Sequence, residues 1–133
     1  MKKKLMAIIM AAVVLGGCLT ASANSFFVEE NVYQKVLQCY GVHNAYPYYY
    51  VEGSSKLVAG SPFSPEVVFV GCAIRILSYD GADPLDSLWE EGVSLADIDP
   101  VNYNPNIANQ FEFYHFYKLY GDNDWTEQYS QFI

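Results

Sequence analysis

Apolar positions recur along much of this chain at intervals of three and four residues, the spacing of one face of an α-helix. The first such stretch starts with Ser25, a residue type that favours helix N-caps, and reaches Gly41, a residue type that favours helix ends. We therefore expect a helix here. Its main apolar row consists of Val28, Val32, Val36 and Cys39.

The most apolar stretch predicts a central helix over residues 65–80. Ser64-Pro65-Glu66 combines a capping serine, a proline suited to the first helical turn and an acidic residue. The following run, Val67 to Tyr79, is apolar on nearly every side, which is typical of a helix in the middle of a domain. Its β-branched residues also allow a buried strand from Val67 to Val70.

Three further helices are expected towards the C-terminus. They start near Asp83, Asn104 and Asp124, and the first two end at Gly92 and Gly121. Ser94 opens at most one or two helical turns. The part from Phe111 to Tyr117 is aromatic enough for a strand, but its length and flanking residues favour helix. The predicted fold is mainly α, a small domain of four to five helices.

Residues 42–64 interrupt this helical pattern with prolines, glycines and a run of tyrosines. Two short strands, Tyr48 to Glu52 and Lys56 to Ala59, could form a hairpin across Gly53-Ser54-Ser55. An ordered aromatic loop packed on the helices would have the same sequence pattern. We therefore expect either a short β-hairpin or an irregular insertion here.

Residues 1–23 have the layout of a bacterial secretory signal peptide: three lysines, an apolar run and small residues. Ala21-Ser22-Ala23 fits cleavage before Asn24, whereas Leu15-Gly16-Gly17-Cys18 resembles a lipobox, in which Cys18 would be lipidated. The apolar run is too short to span a bilayer core, which needs about 20 residues. We expect a periplasmic or secreted protein or, alternatively, one anchored in the cell envelope by lipid.

Removal of this leader would make the protein strongly acidic. Three of the seven basic residues lie in residues 1–23 and all 15 acidic residues follow them, so residues 24–133 carry a formal charge of −11. Their length suits a single globular domain. We expect no transmembrane helix in this part of the chain. Such a charge disfavours nucleic acid, whose phosphates need cations, and favours a basic partner.

Cysteine usage predicts one disulfide bond. Once Cys18 is removed or lipidated, only Cys39 and Cys72 remain. Two cysteines left in an oxidising compartment are expected to pair. The bond would join the first helix to the central helix.

The sequence carries no recognisable catalytic, metal-binding or cofactor-binding motif. His43 and His115 are the only histidines, and no set of zinc ligands surrounds either one in the sequence. The acidic residues around Asn123 lack the spacing of a calcium-binding loop. We therefore expect no cofactor and no metal. A small hydrolase that combines His43 or His115 with carboxylates remains an alternative.

The tyrosine run offers the best candidate binding surface. Tyrosine combines a rigid ring with a polar tip and is common in recognition surfaces. Consecutive tyrosines cannot all point inward. We expect a non-catalytic binding protein, such as an inhibitor or immunity protein, that contacts a basic protein partner. An envelope lipoprotein with a structural or assembly role is the alternative. The candidate contact residues are Tyr46, Tyr48, Tyr49, Tyr50 and Glu52.

Overall fold

A computed structural model describes residues 23–33, 35–58, 67–79, 81 and 84–133. These residues form eight β-strands and no helix. The strands are β1 (Ala23–Val32), β2 (Lys35–Asn44), β3 (Tyr50–Val58), β4 (Val67–Ser78), β5 (Pro84–Gly92), β6 (Leu95–Asn102), β7 (Ala108–Leu119) and β8 (Thr126–Phe132).

The strands form two antiparallel four-stranded sheets that pack face to face. Sheet A has the order β1-β2-β3-β6, and sheet B has the order β5-β4-β7-β8. The chain crosses between the sheets after β3, β5 and β6, so each sheet contains strands that are distant in sequence. The core lies between the two inner faces, as expected for a β-sandwich.

Alternating burial explains why these segments are strands. In β2, Leu37 and Cys39 point into the core, and in β7, Phe111, Phe113 and His115 do so. Successive side chains of a strand point to opposite faces, so residues two apart share the core. The mainly helical fold predicted from the sequence is wrong. The segments predicted to form the first and last helices are β1, β2 and β8, and the helices predicted from Asp83 and Asn104 are β5 and β7.

The predicted central helix over residues 65–80 is also wrong, although the segment does lie at the centre of the fold. It forms β4, an inner strand of sheet B between β5 and β7. Val70, Cys72 and Ile74 on this strand are completely buried. The predicted helix start at Ser64-Pro65-Glu66 lies outside the described residues.

The predicted hairpin within residues 42–64 does not form. Gly53-Ser54-Ser55 lies inside β3, which pairs with β2 on one side and β6 on the other. The chain reverses earlier, between Asn44 and Tyr50. The strand predicted from Lys56 therefore belongs to β3, and residues 59–64 lie outside the described part.

Cys39 and Cys72 are not joined by a disulfide bond, so that prediction is wrong. Cys39 lies in sheet A on β2, and Cys72 lies in sheet B on β4, where it packs against Gly53 of β3. A disulfide requires Cα atoms within about 7 Å and suitably directed side chains. Two cysteines left over in a sequence do not guarantee that geometry.

Of residues 1–23, only Ala23 is described, so the predicted signal peptide and Cys18 lie outside the described part. Across the described ranges, no helix is long and apolar enough to cross a membrane.

Candidate functional site

The tyrosine run forms the exposed turn between β2 and β3. Tyr46 and Tyr48 keep 61% and 73% of their surface exposed, the first joined to Pro47 by a cis peptide bond. The amide of Asn44 donates hydrogen bonds to the carbonyls of Ala45 and Tyr48, which close the turn. Two aromatic rings are thereby presented to solvent on a short, hydrogen-bonded turn.

Tyr103 supports this turn from the side. Its backbone N–H donates to the Tyr49 carbonyl at 3.2 Å, and its hydroxyl donates to the Asn44 carbonyl at 2.9 Å. The Tyr49 and Tyr103 rings meet edge to face with centroids 5.9 Å apart. Burial raises the pKa of Tyr103 to about 12, so its hydroxyl stays protonated and can donate. Tyr49 therefore belongs to the support of the turn and is only partly exposed.

His43 completes the support. Because the Tyr103 hydroxyl proton is used on Asn44, the 2.8 Å contact between Tyr103 and Nε2 of His43 requires Nε2 to carry the donated proton. The His43 ring also packs on Phe111, with centroids 4.0 Å apart. Burial lowers the pKa of His43, which favours this neutral form. The histidine thus has a structural role beside the turn.

The other two predicted contact residues lie on the outer face of sheet A. Tyr50 and Glu52 point away from the core, and Glu52 accepts a hydrogen bond from the Tyr40 hydroxyl at 3.2 Å. Burial, followed by the nearby Glu52 carboxylate, raises the pKa of Tyr40 to about 12. Asp97 contributes to the same negative environment. The strand register places Tyr40 and Asp97 on this outer face. In the sequence, period-two alternation of polar and apolar residues is the signal that could reveal their position.

Two further connections lie at the same end of the sandwich as the tyrosine turn. The pairing of Tyr50 with Asn102 and of Ser78 with Ala108 brings the ends of β6 and β4 to this end. The hydroxyl of Tyr79 donates to the Pro105 carbonyl and so links these two connections. We call this surface, together with Tyr50 and Glu52, the tyrosine-rich end.

Comparison of the chain with protein-family models, curated proteins and solved structures finds no match. The assignment of a function therefore rests on the geometry of the chain itself.

A serine and a histidine do meet inside the sandwich, but not where a substrate can reach them. Nδ1 of His115 lies 2.8 Å from the Ser55 hydroxyl, which itself donates to the Gly71 carbonyl at 2.7 Å. Both side chains are completely buried between the sheets. The pair binds the sheets together and, in this conformation, is closed to ligands. The two histidines form their hydrogen bonds with different groups, His43 with Tyr103 and His115 with Ser55.

Within the described part of the chain, no group of three or more His, Cys, Asp or Glu residues is arranged to hold a metal ion. The acidic residues near Asn123 form the turn between β7 and β8, where the Asp122 carboxylate accepts a hydrogen bond from the Leu119 N–H at 3.1 Å.

Proposed function

We propose that this protein acts in the bacterial envelope or outside the cell as a non-catalytic binding protein, and that its tyrosine-rich end contacts a basic protein partner. An inhibitor or immunity protein would fit this description. The observation that carries the proposal is the exposure of Tyr46 and Tyr48 on a turn held by Asn44 and Tyr103. The proposed location, in the envelope or outside the cell, rests on the leader-like pattern of residues 1–23.

The rigidity of the turn supports a role in recognition. Ordering a flexible loop on binding costs free energy, and a turn that is already hydrogen-bonded avoids much of that cost. Tyrosine adds a large contact area with few rotatable bonds, and tyrosines are enriched among residues that dominate binding energy. Tyr46 and Tyr48 are therefore the expected anchors.

The charge of the chain supports a basic partner. Residues 24–133 carry a formal charge of −11, and Glu52 and Asp97 lie on the sheet face next to the turn. Opposite charge on the partner would speed encounter, and added salt would slow it.

The experiment is affinity capture from envelope extracts and secreted toxins, with the immobilised chain as bait, followed by binding measurements on the captured protein. Replacement of both tyrosines, Tyr46→Ser with Tyr48→Ser, should weaken binding by at least about tenfold, or about 1.4 kcal/mol. Tyr120→Ser is the matched control, because Tyr120 is 81% exposed at the opposite end of the sandwich. Capture of no specific protein, or equal loss in the control, would contradict the proposal.

A further inference from the structure

Sheet B carries a second exposed aromatic surface on its outer face, away from the tyrosine-rich end. Trp89 of β5 lies over Gly71 of β4, where an added Cβ would be 2.5 Å from the indole ring. Its ring centroid is 5.4 Å from that of Phe116 and 5.2 Å from that of Trp125. Trp89 nevertheless keeps 42% of its surface exposed. We call Trp89, Tyr114, Phe116 and Trp125 the aromatic strip.

The strand register places a small residue, Ala73, within this strip, and we call the space above its side chain the gap. Ala73 of β4 pairs with Trp89 on one side and with Tyr114 on the other, and all three point outward. Adjacent strands are about 4.8 Å apart, so the backbones that carry the two aromatic residues are about 10 Å apart. The small side chain of Ala73, still partly exposed, forms the floor between them. Such a gap can accept a flat ring.

The polar groups of Arg75, Glu112 and Tyr114 lie at one end of the gap. Arg75, the next outward residue of β4, has its guanidinium 3.6 Å from the Glu112 carboxylate and keeps 43% of its side chain exposed. The Tyr114 hydroxyl donates to the other oxygen of Glu112. Burial and this hydrogen bond raise the pKa of Tyr114, so the hydroxyl remains a donor. A guanidinium can only donate hydrogen bonds and a carboxylate can only accept them, whereas an alcohol does both.

The charges favour one class of ligand. Arg75 and Glu112 balance each other beside the gap, while the acidity of the whole chain opposes polyanions. An apolar protein surface would desolvate the Arg75–Glu112 pair at a cost. A neutral sugar avoids that cost, because its hydroxyls can replace water on both partners while its C–H face packs on aromatic rings. We propose that the aromatic strip binds a neutral saccharide chain, with one sugar ring over Ala73 between Trp89 and Tyr114.

The strip contains its own reporter. Trp89 and Trp125 are the two tryptophans of the chain, so tryptophan emission reports on this surface alone. The full chain is titrated with three neutral probes, cellohexaose, chitohexaose and maltohexaose, and with polygalacturonate as the acidic probe. At least one neutral probe should change the emission in a saturable way, and the acidic probe should bind more weakly than that probe.

Two variants test the geometry. Trp89→Ala should weaken the neutral probe by at least about tenfold, measured by calorimetry because one reporter is lost. Ala73→Gln fills the gap and leaves both tryptophans in place. If this variant loses as much affinity for the neutral probe as Trp89→Ala and its melting temperature is unchanged, the sugar lies over Ala73. Tyr48→Ser is the matched control and should bind the probe like the parent chain.

Failure of all three neutral probes, stronger binding of polygalacturonate, or unchanged binding by Ala73→Gln would each overturn the proposal. The proposal would also be overturned if Trp89→Ala lost the captured protein while the parent chain bound no sugar. The strip would then be a protein-binding surface. The proposed binding function at the tyrosine-rich end stands or falls separately, because its own variants lie at a different surface.

Discussion

Lowering the pH should destabilise this fold through His115. The ring is completely buried, and its Nδ1 faces the Ser55 hydroxyl. Because the Ser55 proton is used on Gly71, Nδ1 must be the protonated nitrogen of the neutral ring. A second proton would enter at Nε2, which is buried without a hydrogen-bond partner among the described residues. That charge would lie in the core, next to Phe26.

The sign and size follow from linkage between protonation and folding. Burial lowers the pKa of His115 from 6.5 to about 3, so the unfolded chain binds the proton first as the pH falls. The stability is fully present above pH 6.5 and is lost progressively between 6.5 and about 3. Between about pH 7.5 and about pH 5, where most carboxylates stay ionised, the expected loss is about 2 kcal/mol. The full loss, which is reached only below pH 3, is about 5 kcal/mol.

The assay is urea denaturation of the parent chain and of His115→Phe at several pH values across this interval. The variant keeps an aromatic ring in the core but has no group to protonate, so its free energy of unfolding should change much less. His43→Gln is the control, because partial burial lowers the pKa of His43 in the same direction while His115 remains in place. If His115→Phe shows the same pH dependence as the parent chain, the assignment of the effect to His115 is refuted.

Two further predictions test the core. Without reductant, Cys39 and Cys72 should resist alkylation by iodoacetamide in the native chain and should be alkylated after denaturation. The reason is that both side chains are buried and that burial raises the pKa of Cys72 to about 12. Peptide mass spectrometry measures this, and a Cys39–Cys72 linked peptide would contradict it. Gly41→Ala should cost about 1–3 kcal/mol, because the new Cβ would lie 2.5 Å from Phe26 and 2.6 Å from Phe113. Thermal denaturation measures this, and an unchanged melting temperature would show that the rings can move at little cost.

Dense apolar sequence explains why helices were predicted where strands form. Five of the seven residues from Phe111 to Tyr117 are phenylalanine or tyrosine, so aromatic residues recur at spacings of two, three and four alike. Periodicity cannot then separate helix from strand. The β-branched and aromatic content of β4 and β7 favoured strands. The same segments are flanked by serine, aspartate, proline and glycine residues, which suit turns as well as helix ends.

Part of the candidate site could be anticipated from the sequence. The argument that consecutive tyrosines cannot all be buried agrees with the exposure of Tyr46 and Tyr48. The support by Tyr103 could not be anticipated, because β6 pairs with β3 only after the chain has passed through the other sheet. The same applies to Trp89 and Trp125, which sequence spacing assigned to two separate helices.

The sequence by itself determined the charge, the density of apolar residues and two chain reversals. Gly81 and Gly121 lie in turns with φ of +72° and +88°, a conformation that glycine adopts readily. Only the tertiary structure decided which periodicity is used, which residues face each other and whether the cysteines pair. The physical reason is that strands gain their hydrogen bonds and buried surface from distant partners, so local pattern alone does not select them.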